Sequence, residues 1–376
     1  MQKTDDIEQT TPLSSEINRR SALLMLAGAS SMVASMARGR SALAADGELR
    51  YDGFGGSTAE AEDKFALNPF TKETGIKIVH GTFGNQRDMM TKIRAGAEGD
   101  YHILHMSGLD WYKRYVDLGL TSVLDEKQIP NLQWVMSPLV DAFRKITPKA
   151  LSAVPLAYGT SGIAYNTKFI SKEEVEAAGP AILIDARYRD KLTGGIDAQA
   201  RIWYAALQSG QDPNNIQAMD AVWEKTRTSR DLVKKYWTSG AEMMELFAKE
   251  EVILGDAWSG RVAGLQESGF PIGYYEAPGV PAWIEGLMVL KGAPAGTSER
   301  LINFMLSPEV CAGIAEGQKY PPALDPTKVK LPEAVQKIPA FDPRGKLDRL
   351  RFPEPDYWVK HLDEWEKQWN RVSKGA

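Results

Sequence analysis

The chain has 376 residues, a formal net charge of -4, 43% hydrophobic and 25% charged residues. That balance excludes the basic footprint that nucleic acid or an anionic membrane surface requires, and the length suits about two ordinary domains. A single cysteine, Cys311, excludes an internal disulfide.

Residues 1–44 read as an export signal. Asn18-Arg19-Arg20-Ser21 precedes a mildly apolar run from Ala22 to Ala37, and Ser41-Ala42-Leu43-Ala44-Ala45 is a small-residue cleavage pattern. The paired arginines and the Gly- and Ser-diluted apolar run point to the twin-arginine route, with cleavage near Ala44. The run is too short and polar for a membrane span. Cys311 is too far away to carry a lipid anchor. The expected product is a free periplasmic protein, a monomer.

The mature chain opens with a strand, Glu48 to Phe54, a Gly55-Gly56-Ser57 turn, and a helical pattern from Thr58 to Phe70. Strand, glycine turn and helix begin a βαβ unit. The turn is not a phosphate loop, because the required glycine spacing and Lys-Ser/Thr are absent. Further strands are expected at Gly75–Val79 and Tyr101–Met106, alternating with helices at Met89–Ala97 and from Trp111. Such alternation predicts a parallel sheet, with ligands beyond the strand ends at Phe54-Gly55 and Ser107-Gly108. His102 and His105 fall on opposite strand faces and do not form a metal pair.

The Gly- and Pro-containing stretch Ala153 to Thr167 reads as a crossing between domains. A second α/β region then runs from about Ile170 to Gly286. It includes a strand end opening a helix at Gly194 to Leu207 and a helix pair from Asp212 to Tyr236. An amphipathic helix with a Thr or Ser cap follows Gly296 and ends at Ser307-Pro308. The proline-rich segment from Tyr320 to Pro355 reads as extended surface chain. A last helix from Asp356 to Ser373 places Trp358, Leu362, Trp365 and Trp369 on one packing face.

Chemistry concentrates between Val252 and Leu287. Residues two apart on a strand share a face, so Asp256 pairs with Trp258 and Trp283 with Glu285. Two indoles and two carboxylates in one cleft suit a small organic cation, each aromatic contributing about 0.5–2 kcal/mol. The plainer alternative is that both tryptophans are core residues at strand ends.

These residues carry a family resemblance. Phe70 to Lys77, Val154 to Thr167, Val252 to Gly260, Trp283-Ile284-Glu285 and Leu301 to Glu309 together resemble the spermidine/putrescine-binding branch of the periplasmic substrate-binding proteins of ABC importers. The resemblance implies an α/β fold of the type II periplasmic binding class: two Rossmann-like lobes joined by hinge strands that close over one solute. Lobe 1 would span 45–155 and 286–326, and lobe 2 156–285 and 327–376. The closed form would dock on an inner-membrane ABC permease. No metal, cofactor or enzymatic activity is expected.

By the same resemblance the site set is Phe54, Gly55, Ser107, Tyr158, Arg201, Asp256, Trp258, Trp283 and Glu285. Glu285 would be the main amine-binding acid. Where polyamine binders carry two further acids, this chain has Ala198 and Arg201. An arginine there would repel a diamine but grip a carboxylate, which implies a zwitterionic ω-amino acid such as 4-aminobutyrate. Arg201 paired to Asp197 on its own helix is the structural alternative. The rival ligand is a polyamine, with Asp256 and Asp197 as replacement acids. Ferric ion at Tyr274-Tyr275 and a hydrolase-like enzyme on the same fold are weaker rivals.

Overall fold

The computed structural model describes residues 48–375, so the export signal expected over 1–44 lies outside the described residues. Nine strands are formed there: β1 (Glu48–Phe54), β2 (Lys77–Phe83), β3 (Ile103–Ser107), β4 (Ala153–Asn166), β5 (Leu192–Gly195), β6 (Val233–Trp237), β7 (Leu254–Trp258), β8 (Ile272–Tyr275) and β9 (Ala282–Val289). Their order is β2-β1-β3-β9-β4-β7-β5-β6, with β8 attached to β4.

The sheet is parallel at both ends and antiparallel in the middle. β1 pairs parallel with β2 and β3, and β5 pairs parallel with β6 and β7. Between these sets, β9 runs antiparallel to both β3 and β4, and β4 antiparallel to β7. The uniformly parallel sheet expected from the βα alternation therefore fails at the two strands that leave one half and enter the other. β4 pairs with β9 through Thr160 and with β7 from Ser161 onward, so one buried strand belongs to both halves. These are the hinge strands of an α/β molecule built as two Rossmann-like lobes.

The interior follows the same division. One cluster joins Leu49, Ile103, Phe143 and Leu156 to Leu287, Leu301 and Ile314. Separate clusters gather Ile163, Tyr165, Leu192 and Leu254, then Trp203, Trp223 and Trp358, then Met243, Phe247 and Val262. The proline-rich segment is not surface chain. Leu324, Leu331, Val335, Ile338 and Leu350 insert into the first cluster, because apolar residues spaced through an otherwise polar run are drawn into the nearest core. That packing runs against the expected assignment of 327–352 to lobe 2. Only the helix Pro355–Ser373 packs with Trp203 and Trp223.

Two helical expectations also change. The predicted pair over 212–236 is one helix, Met219–Leu232, followed by β6. The helix after β1 runs as Ser57–Glu62, a π turn Asp63–Leu67, then Asn68–Thr74. Pro69 cannot donate to the preceding turn, and the wider π turn accommodates it. The helix Thr297–Met305 is capped at Gly296, whose N–H donates to Glu299 Oε2 at 2.7 Å, rather than by Thr or Ser.

Candidate functional site

The ends of β1, β3, β5 and β7 converge on a cavity of about 590 Å³ between the two parallel sets. Six tryptophans line it: Trp111, Trp203, Trp237, Trp258, Trp283 and Trp369. Trp237 and Trp258 meet edge to face at 4.8 Å, as do Trp283 and Tyr320 at 4.6 Å. Gly159 faces Trp283 across the β4–β9 ladder, and any Cβ there would overlap the indole. Three of these six indole N–H groups are committed. Trp203 donates to Gly279 O at 2.8 Å, Trp237 to Asp256 O at 3.2 Å, and Trp369 to Ile196 O at 2.6 Å. The buried Trp283 Nε1 has no partner among the described residues.

Six acids line the cavity (Asp88, Asp110, Asp197, Asp256, Glu285 and Glu366) against two arginines, Arg87 and Arg261. Three of the acids are engaged. Asp88 is bonded to Asn85 at 2.7 Å, Glu366 is paired with Arg87, and Asp256 with Arg201. Arg261 reaches across to Ser57 and Thr58. Asp110, Asp197 and Glu285 remain without a cationic side chain from the cavity wall. The lining is therefore acidic and aromatic.

Glu285 is 5% exposed on β9, opposite Ser107 of β3. Behind it His105 Nε2 lies 3.2 Å from its Oε2, while His105 Nδ1 lies 2.6 Å from Glu62 Oε1. Tyr51 donates its hydroxyl proton to the same Glu62 oxygen at 2.5 Å. Burial alone would strip the proton from His105. Glu62 and Glu285 outweigh it and hold the imidazolium up to about 10. Asp110 lies in the first turn of the helix Leu109–Asp117, with Oδ2 buried and unpartnered. Burial raises its carboxyl to about 6, with Arg114 opposing and Asp197 adding to the rise. Asp197 begins the helix Ala198–Gln208 and caps it by accepting from Ala200 N at 2.8 Å.

Of the expected site residues, Phe54, Ser107, Asp256, Trp258, Trp283 and Glu285 line the cavity, while Gly55, Tyr158 and Arg201 do not. Tyr158 is buried in the first core cluster. Arg201 is buried beneath the cavity floor, where its guanidinium pairs with Asp256 rather than with Asp197. Burial works against that charge, and Asp256 overcomes it and raises the guanidinium. The other Asp256 oxygen accepts from Gly195 N at 3.2 Å. Asp256 is thus spent as an ammonium partner, and Arg201 as a carboxylate grip. Gly194 makes room for the pair, since a Cβ there would meet both partners.

His105, Asp110 and Arg261 were not anticipated at the site. His105 carried a signal: a histidine inside an otherwise apolar strand must find a buried partner. Asp110 and Arg261 sit among ordinary helix residues, and only the approach of the two halves brings them to one cavity. Tyr274 spends its hydroxyl on Thr160 and Gly162, away from the cavity.

The bacterial extracellular solute-binding protein family model matches residues 66–343. The spermidine/putrescine-binding periplasmic protein 1 of Haemophilus influenzae is 26% identical over 293 residues, covering 75% of this chain and 78% of that protein. A γ-aminobutyric acid-binding protein of Pseudomonas aeruginosa is 28% identical over 137 residues, covering 36% of this chain and 38% of its own. The solved structure of AgtB from A. tumefaciens R10, in complex with agropinic acid, is similar with a TM-score of 0.72 at 19% identity, covering 87% of this chain and 99% of that one.

Proposed function

The chain belongs to the bacterial extracellular solute-binding proteins, and from that premise we propose that it captures a linear organic amine, a short polyamine such as putrescine, for import. The observation that carries this reading is Glu285. Its carboxylate is buried in the wall of a cavity that Trp258 and Trp283 also line, with His105 behind it, and the two lining arginines are turned to Glu366 and to Ser57 and Thr58. An ammonium there gains a charge-assisted hydrogen bond and two aromatic faces. Asp110 and Asp197 supply acids for a second ammonium on the same ligand. The Haemophilus influenzae relative, named for spermidine and putrescine, supports the same class.

A second reading keeps the zwitterion. Arg261 lines the cavity and is bonded only to the hydroxyls of Ser57 and Thr58, so a ligand carboxylate can replace them. In that reading 4-aminobutyrate spans Glu285 and Arg261. The partial γ-aminobutyric acid-binding relative favours it.

Delivery to an ABC permease, release into the periplasm after cleavage near Ala44, and action as a monomer belong to the same reading. The lobe boundaries we adopt are 45–155 with 286–352, and 156–285 with 353–376. The packing of Leu331, Val335 and Leu350 supports the shift from 327.

The test is calorimetric titration of the mature protein with putrescine, spermidine and 4-aminobutyrate. Putrescine or spermidine should bind and, at 100 times the dissociation constant, stabilise by about 2.7 kcal/mol. Glu285→Gln should weaken binding at least about tenfold, since a charged hydrogen bond is lost. Binding of 4-aminobutyrate alone, abolished by Arg261→Gln, moves the reading to the zwitterion. If none of the three binds, amine capture is wrong.

A further inference from the structure

The cavity wall at Glu285 is one end of a buried row of charges. Behind Glu285 stands His105, and behind His105 stands Glu62, both side chains 0% exposed. The buried Tyr320 hydroxyl group, on the ring against Trp283, feels the Glu285 charge. Glu62 ends the helix Ser57–Glu62, and Tyr51 of β1 donates to it. His80 of β2 lies 3.8 Å from Glu62 Oε2 with its other ring nitrogen 2.8 Å from Asp63. Phe54 closes the side of His105 edge-on, with ring centroids 5.4 Å apart.

We propose that His105 is a positioning residue for amine capture: its buried ring, held by Glu62 on one side and standing 3.2 Å from Glu285 on the other, fixes the Glu285 carboxylate so that it is aimed into the cavity. This rests on Glu285 being the acid that holds an ammonium. The row then alternates in sign, with Glu62 negative, His105 positive, Glu285 negative and the guest positive. A neutral guest leaves the Glu285 carboxylate desolvated without a cation in front of it, so the row selects for positive charge. Two carboxylates in a dry wall repel each other unless a cation stands between them. Removal of His105 leaves Glu285 and Glu62 in the wall with no cation between them.

The consequence is a change in pH dependence. Wild-type affinity for putrescine should be flat from about pH 6 to about pH 8, because His105 stays charged throughout. In His105→Gln, affinity should fall about tenfold near pH 6 and recover as pH rises, because a proton can then replace the lost cation between the two buried acids and compete with the ammonium. Titration calorimetry at both pH values reads this. A merely structural role would weaken binding equally at both. Equal affinity of variant and wild type at both values overturns the proposal, as does an equal loss at both.

A second measurement needs neither the variant nor a ligand. In wild-type protein labelled with ¹⁵N-histidine, both His105 ring nitrogens should carry protons from about pH 6 to about pH 8. A neutral ring overturns the proposal even if putrescine binds. If no amine binds the wild type, amine capture fails, and the ring spectrum still decides whether His105 holds the charge.

Discussion

Asp110 is 1% exposed, one of its carboxyl oxygens has no partner, and Asp197 lines the same cavity. Burial raises the Asp110 carboxyl to about 6, above an unfolded value of about 3.9. The sign is that of an acid destabilised by folding: stability is fully present below the unfolded value and is lost as pH rises through about 6. Asp110→Asn removes that loss. In the absence of ligand it should raise stability near pH 8 by about 1–3 kcal/mol and change little near pH 4, read from urea midpoints at the two values. The same variant should bind putrescine more weakly, because one acid of the cavity is gone. A gain at pH 8 with unaltered affinity would make Asp110 a buried liability with no part in capture.

The unit β5, the helix Ala198–Gln208 and β7 is held together beneath the cavity by Arg201 and Asp256. Arg201 projects from the helix and Asp256 from β7, both buried, with Gly194 of β5 leaving space between them. The guanidinium also lies 5.8 Å from the rings of Tyr204 and Tyr236. Removing one partner of such a pair strands the other charge, which costs roughly 3–5 kcal/mol. Arg201→Ala should lower the urea midpoint accordingly. The double variant Arg201→Met with Asp256→Leu should recover most of the loss, because two apolar residues leave no stranded charge. If Arg201→Ala instead retains full stability and loses only carboxylate ligands, the guanidinium is a ligand contact after all.

The whole molecule is closed by the helix Pro355–Ser373. Its apolar stripe packs on Trp203, while its acidic side meets the first half through Lys113–Asp356 at 3.3 Å, Arg114–Asp363 at 2.9 Å and Arg87–Glu366. Ion pairs at a solvent-facing seam are individually weak and screened by salt. If the two halves move on the hinge strands between open and closed forms a few kcal/mol apart, three such pairs together favour the closed one. Ligand-free protein should therefore show a larger radius of gyration by X-ray scattering in about 1 M salt than in about 0.05 M. The variant Asp363→Asn with Glu366→Gln should show the larger value already at low salt. An unchanged radius in both experiments would assign closure to the hinge strands alone.

Local sequence set the strand-turn-helix units, since alternation, glycine turns and caps act over a few residues. Phe54, Ser107, Trp258, Trp283 and Glu285 were legible as strand-end residues for that reason. Period-two reasoning placed Trp258 and Asp256 on one face but could not say which would be claimed from below. The claimant, Arg201, is 55 residues away and on another element. Asp110 and Arg261 belong to the cavity only because β4 and β9 bring two separately packed halves face to face, and His105 stands behind Glu285 because β3 pairs with β9. Which charges are free for a guest depends on which are neutralised through space, and Coulomb interactions in a dry wall follow distance and burial, neither of which is written in the order of residues.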